Sequence, residues 1–174
     1  MISRLAYRSR QFRNALLAPR KRIPSKVLLH YLPAAQFSLF QQMQPSEQAH
    51  AYQIFKRLET SGQTNPDLLA AALLHDVGKI LHPLSIFDRV IIVLGKRLFP
   101  GATQRWASGP PRRLRLPFVV AAQHAGWGAD LASRTGANHR IVELVRRHHE
   151  ARLPNPDSDT ARLLAALQAA DDES

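Results

Sequence analysis

Apolar positions recur along the chain with the spacing of helix faces, and no stretch shows the period-two alternation of a strand. Residues 2–17 place Ile2, Leu5, Phe12 and Leu16 on roughly one face, with arginines elsewhere, until APRKRIPSK breaks the pattern. After Pro33, AAQFSLFQQM reads as a short apolar helix, and Pro45 suits the first turn of a helix over SEQAHAYQIFKRLE that stops at Gly62. Asn65, Pro66 and Asp67 make a strong helix start, because Asn caps, Pro presets φ and Asp favours the positive end. They open LLAAALLHDVGKI, residues 68–80, so apolar and alanine-rich that it belongs inside a core. Ser85 is positioned to cap a helix through IFDRVIIVLGKRL. GATQRWASGPPRRLR then reads as a loop, solvated or serving as a rim or lid through its arginines and Trp106. From Pro117, FVVAAQHAGWG predicts a short helix with His124 at its end, after which Gly126 and Gly128 re-aim the chain. NHRIVELVRRHHE sets Ile141, Leu144, Val145 and His148 at i, i+3, i+4 and i+7. RLPNPDSD is a turn-rich break with Asp157, Ser158 or Asp159 as a cap, and TARLLAALQAADDES is the last helix. The fold class is all-α.

Several of these faces carry polar groups that an apolar core does not tolerate alone. His50 repeats with Ile54 and Leu58 at four-residue intervals, so it faces inward. In the central helix His75 shares a face with Leu68, Ala71 and Ala72, while Asp76 shares the adjoining one with Leu69, Ala72 and Leu73. An unpaired carboxylate buried there would cost several kcal/mol, on the order of a buried ion's desolvation, and a metal would remove that cost. His124 and His148 lie on apolar faces, His149 sits about 100° round from His148, and Asp171 follows Leu164 and Leu167 at i+7 and i+4 while Asp172 points to the side. Neutral imidazoles with carboxylates suit divalent first-row ions, and a carboxylate can bridge two of them. His30, His82 and His139 fall outside this pattern and read as ordinary hydrogen-bonded residues.

Composition narrows the chemistry. At 174 residues and 45% hydrophobic content the chain can bury one proper core, and no internal repeat is evident. Zero cysteines exclude disulfides and thiolate zinc sites, leaving His, Asp and Glu as the strong ligands. No apolar run approaches the roughly 20 residues that span a bilayer, so a soluble, cytoplasmic protein is expected. The net charge of +11 is uneven: residues 1–26 hold eight basic side chains and no acid precedes Glu47, leaving 16 basic against 13 acidic residues, or +3, for the rest. Residues 1–26 are an arm suited to anionic membrane or nucleic acid, with the look of an organelle transit peptide, or simply a packed helix with a solvated basic face.

In chain order the inward candidates are His50, His75, Asp76, His124, His148, His149 and Asp171. This H…HD…D pattern resembles the HD-domain superfamily of metal-dependent phosphohydrolases, and HDVGK with HHE is similar to its HDIG branch. HHEARLPNPDSD lacks the GYP element of the cyclic-di-GMP phosphodiesterases, which disfavours that substrate. The resemblance covers about residues 45–172 and implies a single HD-domain helical bundle over residues 45–174 behind a basic, partly helical extension over residues 1–44. It implies that His50, His75, Asp76 and Asp171 hold one divalent ion and that Asp76, His124, His148 and His149 hold a second. Iron, manganese or another first-row metal would suit the mono- or dinuclear site. A metal-bound hydroxide would then hydrolyse a phosphomonoester or phosphodiester of nucleotide-like character, with Asp76 and Lys79 as catalytic residues and Lys79 near the substrate phosphate. The alternatives are a di-iron oxygenase on the same cage and a non-catalytic binding or regulatory module.

Overall fold

The computed structural model describes residues 23–150 and 158–173; the predicted face over residues 2–17 and most of the RLPNPDSD break lie outside them. Among the described residues there is no strand, and the chain forms α-helices joined by short turns. They are α1 (Ser25–Tyr31), α2 (Ala34–Gln41), α3 (Pro45–Thr60), α4 (Pro66–Leu74), α5 (Ile86–Leu98), α6 (Pro100–Ala107), α7 (Leu116–Arg134), α8 (His139–Arg147) and α9 (Asp159–Asp172), with a 3₁₀ segment over Val77–Leu81.

The local starts follow the sequence. Asn65 Oδ1 accepts from the amides of Asp67 and Leu68, Asn138 Oδ1 from Ile141 and Ser158 Oγ from Ala161. Ser85 and Asp88 form a reciprocal capping box at the start of α5. Gly62, at φ 84°, takes the left-handed conformation that ends α3.

Helix α4 is the axis of the bundle. Every residue from Leu68 to Leu74 is buried, which is the fate of a helix that is apolar all round. It packs against α3, α8 and α9, and α7 lies across α8 and the 3₁₀ segment. Helices α1 and α2, from the stretch expected as an extension, contribute Leu28, Leu32, Leu39 and Phe40 to the same core as Phe55, Leu73 and Leu144.

Two expectations are corrected. The segment around His124 is no short helix redirected by glycines: α7 runs unbroken through Gly126 and Gly128, placing His124 near its middle. Gly128 is there to meet Gly78, since a Cβ on Gly78 would lie 1.9 Å from the His124 carbonyl oxygen and 2.6 Å from the Gly128 nitrogen. The glycines let two backbones touch, and tertiary contact holds the helix together despite their low propensity. Likewise, Pro100 starts a helix, α6, where a loop was expected; Thr103 is buried in it and Trp106 packs on Phe118 of α7, 5.4 Å between ring centres.

Candidate metal centre

The site lies where three helices deliver their C-terminal ends. His75 follows the last residue of α4, His148 follows the last of α8, and Asp171 is in the last turn of α9. The negative ends of the helix dipoles therefore face the same region, which favours a cation there. Helix α3 adds His50 from its buried side and α7 adds His124.

The seven expected residues come together in two groups around one carboxylate. One ligand atom from each of His50, His75 and Asp171 falls within 4.8 Å of the others, and the same holds for His124, His148 and His149. Asp76, 3% exposed, lies between the groups. Its Oδ2 is 3.3 Å from His75 Nε2 and 3.9 Å from His50 Nε2, while its Oδ1 is 3.1 Å from His124 Nε2. His50 Nε2 is 3.0 Å from Asp171 Oδ1, and the Nε2 atoms of His124 and His149 are 3.1 Å apart. The rings of His75 and His148 are 5.2 Å apart, so the two halves adjoin. Asp172 is exposed and stands outside the group, as the face argument required.

Three of the imidazoles are held by their own helices. His75 Nδ1 donates to Ala72 O at 2.9 Å, His124 Nδ1 to Val120 O at 2.7 Å and His148 Nδ1 to Val145 O at 2.7 Å. Each bond fixes the ring and turns Nε2 toward the centre, which is how second-layer contacts prepare histidine ligands. The end of α9 is secured too. Gln168 donates to the carbonyls of His148 and Glu150, and Arg57 of α3 donates to Ala170 O beside Asp171.

This donor set fits a divalent metal. His148 Nε2 is buried and has no hydrogen-bond partner, a state that costs about 1–3 kcal/mol unless something else uses the lone pair, and the buried His75 Nε2 has only its 3.3 Å approach to Asp76. Imidazole nitrogens and carboxylate oxygens are the ligands that first-row metals take.

The halves differ in their electrostatics. Burial opposes charge on His75, but the Asp76 carboxylate outweighs it, with help from Asp171, and raises its pKa to about 9. Burial likewise works against ionised Asp76, yet Lys79 and His75 hold it well below the usual carboxylate range. Asp171 is also held low, because His50 and His75 outweigh its desolvation. On the other side, burial and the neighbouring rings keep His148 well below an ordinary histidine. His149, an exposed residue whose ring packs on His124 and His148, falls to about 4 through loss of water around the ring and then the His124 charge.

Lys79 sits against Asp76 and does not stand alone: its Nζ is 2.6 Å from Asp76 Oδ2 and 3.2 Å from Glu47 Oε2, and its side chain is 24% exposed. Burial disfavours its charge, but the two carboxylates more than compensate and its pKa is raised. Glu47 also pairs with Arg89 of α5, and neither residue belongs to the pattern expected from the sequence. Glu47 carried a signal, since it lies three residues before His50 and four before the fully buried Ala51, on the inward face of α3. Arg89 carried none, because its pairing with Glu47 spans 42 residues. His30 and His139 are exposed, and His82 is half-buried with its ring 5.4 Å from that of Trp127.

The HD domain family model matches residues 48–173, and the chain belongs to the HD-domain family, whose superfamily comprises metal-dependent phosphohydrolases. No curated protein and no solved structure matches it. No helix among the described residues is long and apolar enough to cross a membrane.

Proposed function

We propose that this HD-domain protein hydrolyses a phosphomonoester or phosphodiester, with a nucleotide-like compound as the substrate class. The observation that carries the reading is Asp76, one buried carboxylate with a separate oxygen toward each histidine group. In this reading His50, His75, Asp76 and Asp171 hold one divalent ion, and Asp76, His124, His148 and His149 hold the other. Bound there, such ions polarise phosphoryl oxygens and lower the pKa of coordinated water toward ~7.

The chain's own residues set the stage for that chemistry. His75, His124 and His148 present Nε2 because their Nδ1–H groups are committed to backbone carbonyls. Lys79 uses two of its three donors on Asp76 and Glu47 and keeps one for a substrate oxygen. Its fixed cation opposes the negative charge that builds on a phosphoryl group during displacement. Glu47, clamped between Lys79 and Arg89, keeps that cation in place.

The test is phosphate release from aryl phosphate mono- and diesters and from nucleotides by chelator-treated protein before and after manganese or ferrous iron is restored. Metal-dependent release that disappears in Asp76→Asn supports the reading. A fully loaded protein that releases no phosphate and instead consumes oxygen would overturn it in favour of the oxygenase.

A further inference from the structure

Helix α5 is built the wrong way round for a soluble bundle. Its apolar residues Phe87, Val90, Ile91, Leu94 and Leu98 recur at i, i+3, i+4, i+7 and i+11 and form one stripe, yet they are 76%, 44%, 43%, 51% and 61% exposed. No residue of α5 is buried. The helix is nevertheless well anchored: Gly95 faces α7 so closely that a Cβ there would lie 2.6 Å from the Phe118 ring, and Arg89 is tied to Glu47. The stripe runs alongside the line of contact with α7, and its residues stay open to solvent. Phe99, at the end of the helix, is 62% exposed, and Leu114, between Arg112 and Arg115, is 85% exposed. A contiguous apolar surface of this kind marks an interaction site.

Charge identifies what it meets. Residues 83–129 contain seven Lys and Arg against one acid, Asp88, a net +6, and Asp88 is engaged in the capping box. Residues 27–82 and 130–174 contain nine basic and twelve acidic residues, a net −3. The positive charge outside residues 1–26 therefore sits entirely in the lobe that carries the stripe. A helix with an exposed apolar face and Lys or Arg around it is the design of a helix that lies in a bilayer interface. A second copy would set +6 against +6, residues 1–26 bring a further eight basic side chains, and nucleic acid would leave the stripe in water.

We propose that the α5 face, with Leu114 and the arginines of the α5–α7 lobe, docks peripherally on a bilayer containing anionic lipid. Phe87, Leu94 and Leu98 enter the headgroup boundary, and Arg97, Arg105, Arg112 and Arg115 meet the lipid phosphates.

The experiment is co-sedimentation of the full chain with vesicles of phosphatidylcholine alone and with vesicles in which about a third is phosphatidylglycerol. The wild type should pellet with the anionic vesicles, less so at high salt, and little with the neutral ones. Phe87→Glu/Leu94→Glu in the full chain should bind at least about tenfold more weakly. Both positions are solvent-facing, so an unchanged melting curve and metal content show that the loss is not unfolding. Equal pelleting of wild type and variant would overturn the proposal and assign binding to the basic arm. So would absence of pelleting with anionic vesicles, or self-association of the wild type that the variant abolishes, which would assign the stripe to a second copy.

Discussion

The two halves of the candidate centre share one carboxylate and little else. The half formed by His50, His75 and Asp171 pairs imidazoles with a second carboxylate, and against the burial of the ring Asp76, with help from Asp171, raises His75 to a pKa of about 9. The half formed by His124, His148 and His149 is all imidazole, and there His148 and His149 are pushed down, His149 to about 4. At neutral pH the first half holds a proton where a metal would go, whereas His148 and His149 already have open lone pairs. The difference shows that a dinuclear site need not be two copies of one device. One half attracts a cation by negative charge, the other by neutral donors, and Asp76 couples them.

Removing that coupling should have the largest effect. Asp76→Asn is expected to abolish binding of both ions and lower any phosphatase turnover by on the order of 10³-fold. The check is metal analysis beside kinetics. An Asp76→Asn protein that keeps one half fully occupied would break the comparison.

Glu47→Gln should act more weakly and on one side. It loosens Lys79, which touches Asp76 through the oxygen that faces His75 and His50. Affinity for the ion in the carboxylate half should fall about tenfold, the usual scale for a supporting residue, with less change in the imidazole half. Competition titrations of Glu47→Gln in His124→Ala and His50→Ala backgrounds would separate the two. The substitution should also destabilise the fold by about 3 kcal/mol, because Glu47 is buried and its charge holds two cations.

A subtler prediction concerns protons. Loading the carboxylate half near pH 7.5 should release about one proton, from His75, so its affinity should rise with pH until about 9. His148 and His149 should contribute none to loading of the imidazole half. Calorimetry in buffers of different ionisation enthalpy counts these protons. The sign reverses for metal-free stability. His75 has a folded pKa above its ordinary 6.5, so its contact with Asp76 stabilises the fold fully below pH 6.5 and is lost as the pH rises through about 9. Unfolding of chelator-treated protein should therefore become easier across that window.

Much of this was legible in the sequence because burial leaves a periodic trace. The inward placement of His50, His75 and Asp171 followed from their spacing to Ile54, Ala72 and Leu167, and the choice of Asp171 over Asp172 was a matter of helix phase. Asn65, Ser85 and, among three candidates, Ser158 announced helix starts by capping chemistry, and Pro45 by its fit to a first turn. Contacts between distant segments left no such trace. Gly128 read as a breaker because the partner that makes it useful, Gly78, is far away in sequence. Helix α6 looked like a loop because Thr103 and Trp106 gain their partners only from tertiary packing. Arg89 reached the site through Glu47, and nothing local to α5 said so.

The most direct test of the central claim, two unlike halves joined by Asp76, is metal stoichiometry per chain for untagged wild-type protein, His124→Ala and His50→Ala after loading with a first-row ion. The account predicts about two equivalents in the wild type and about one in each variant. One equivalent or fewer in all three proteins would contradict it and leave a mononuclear site or none.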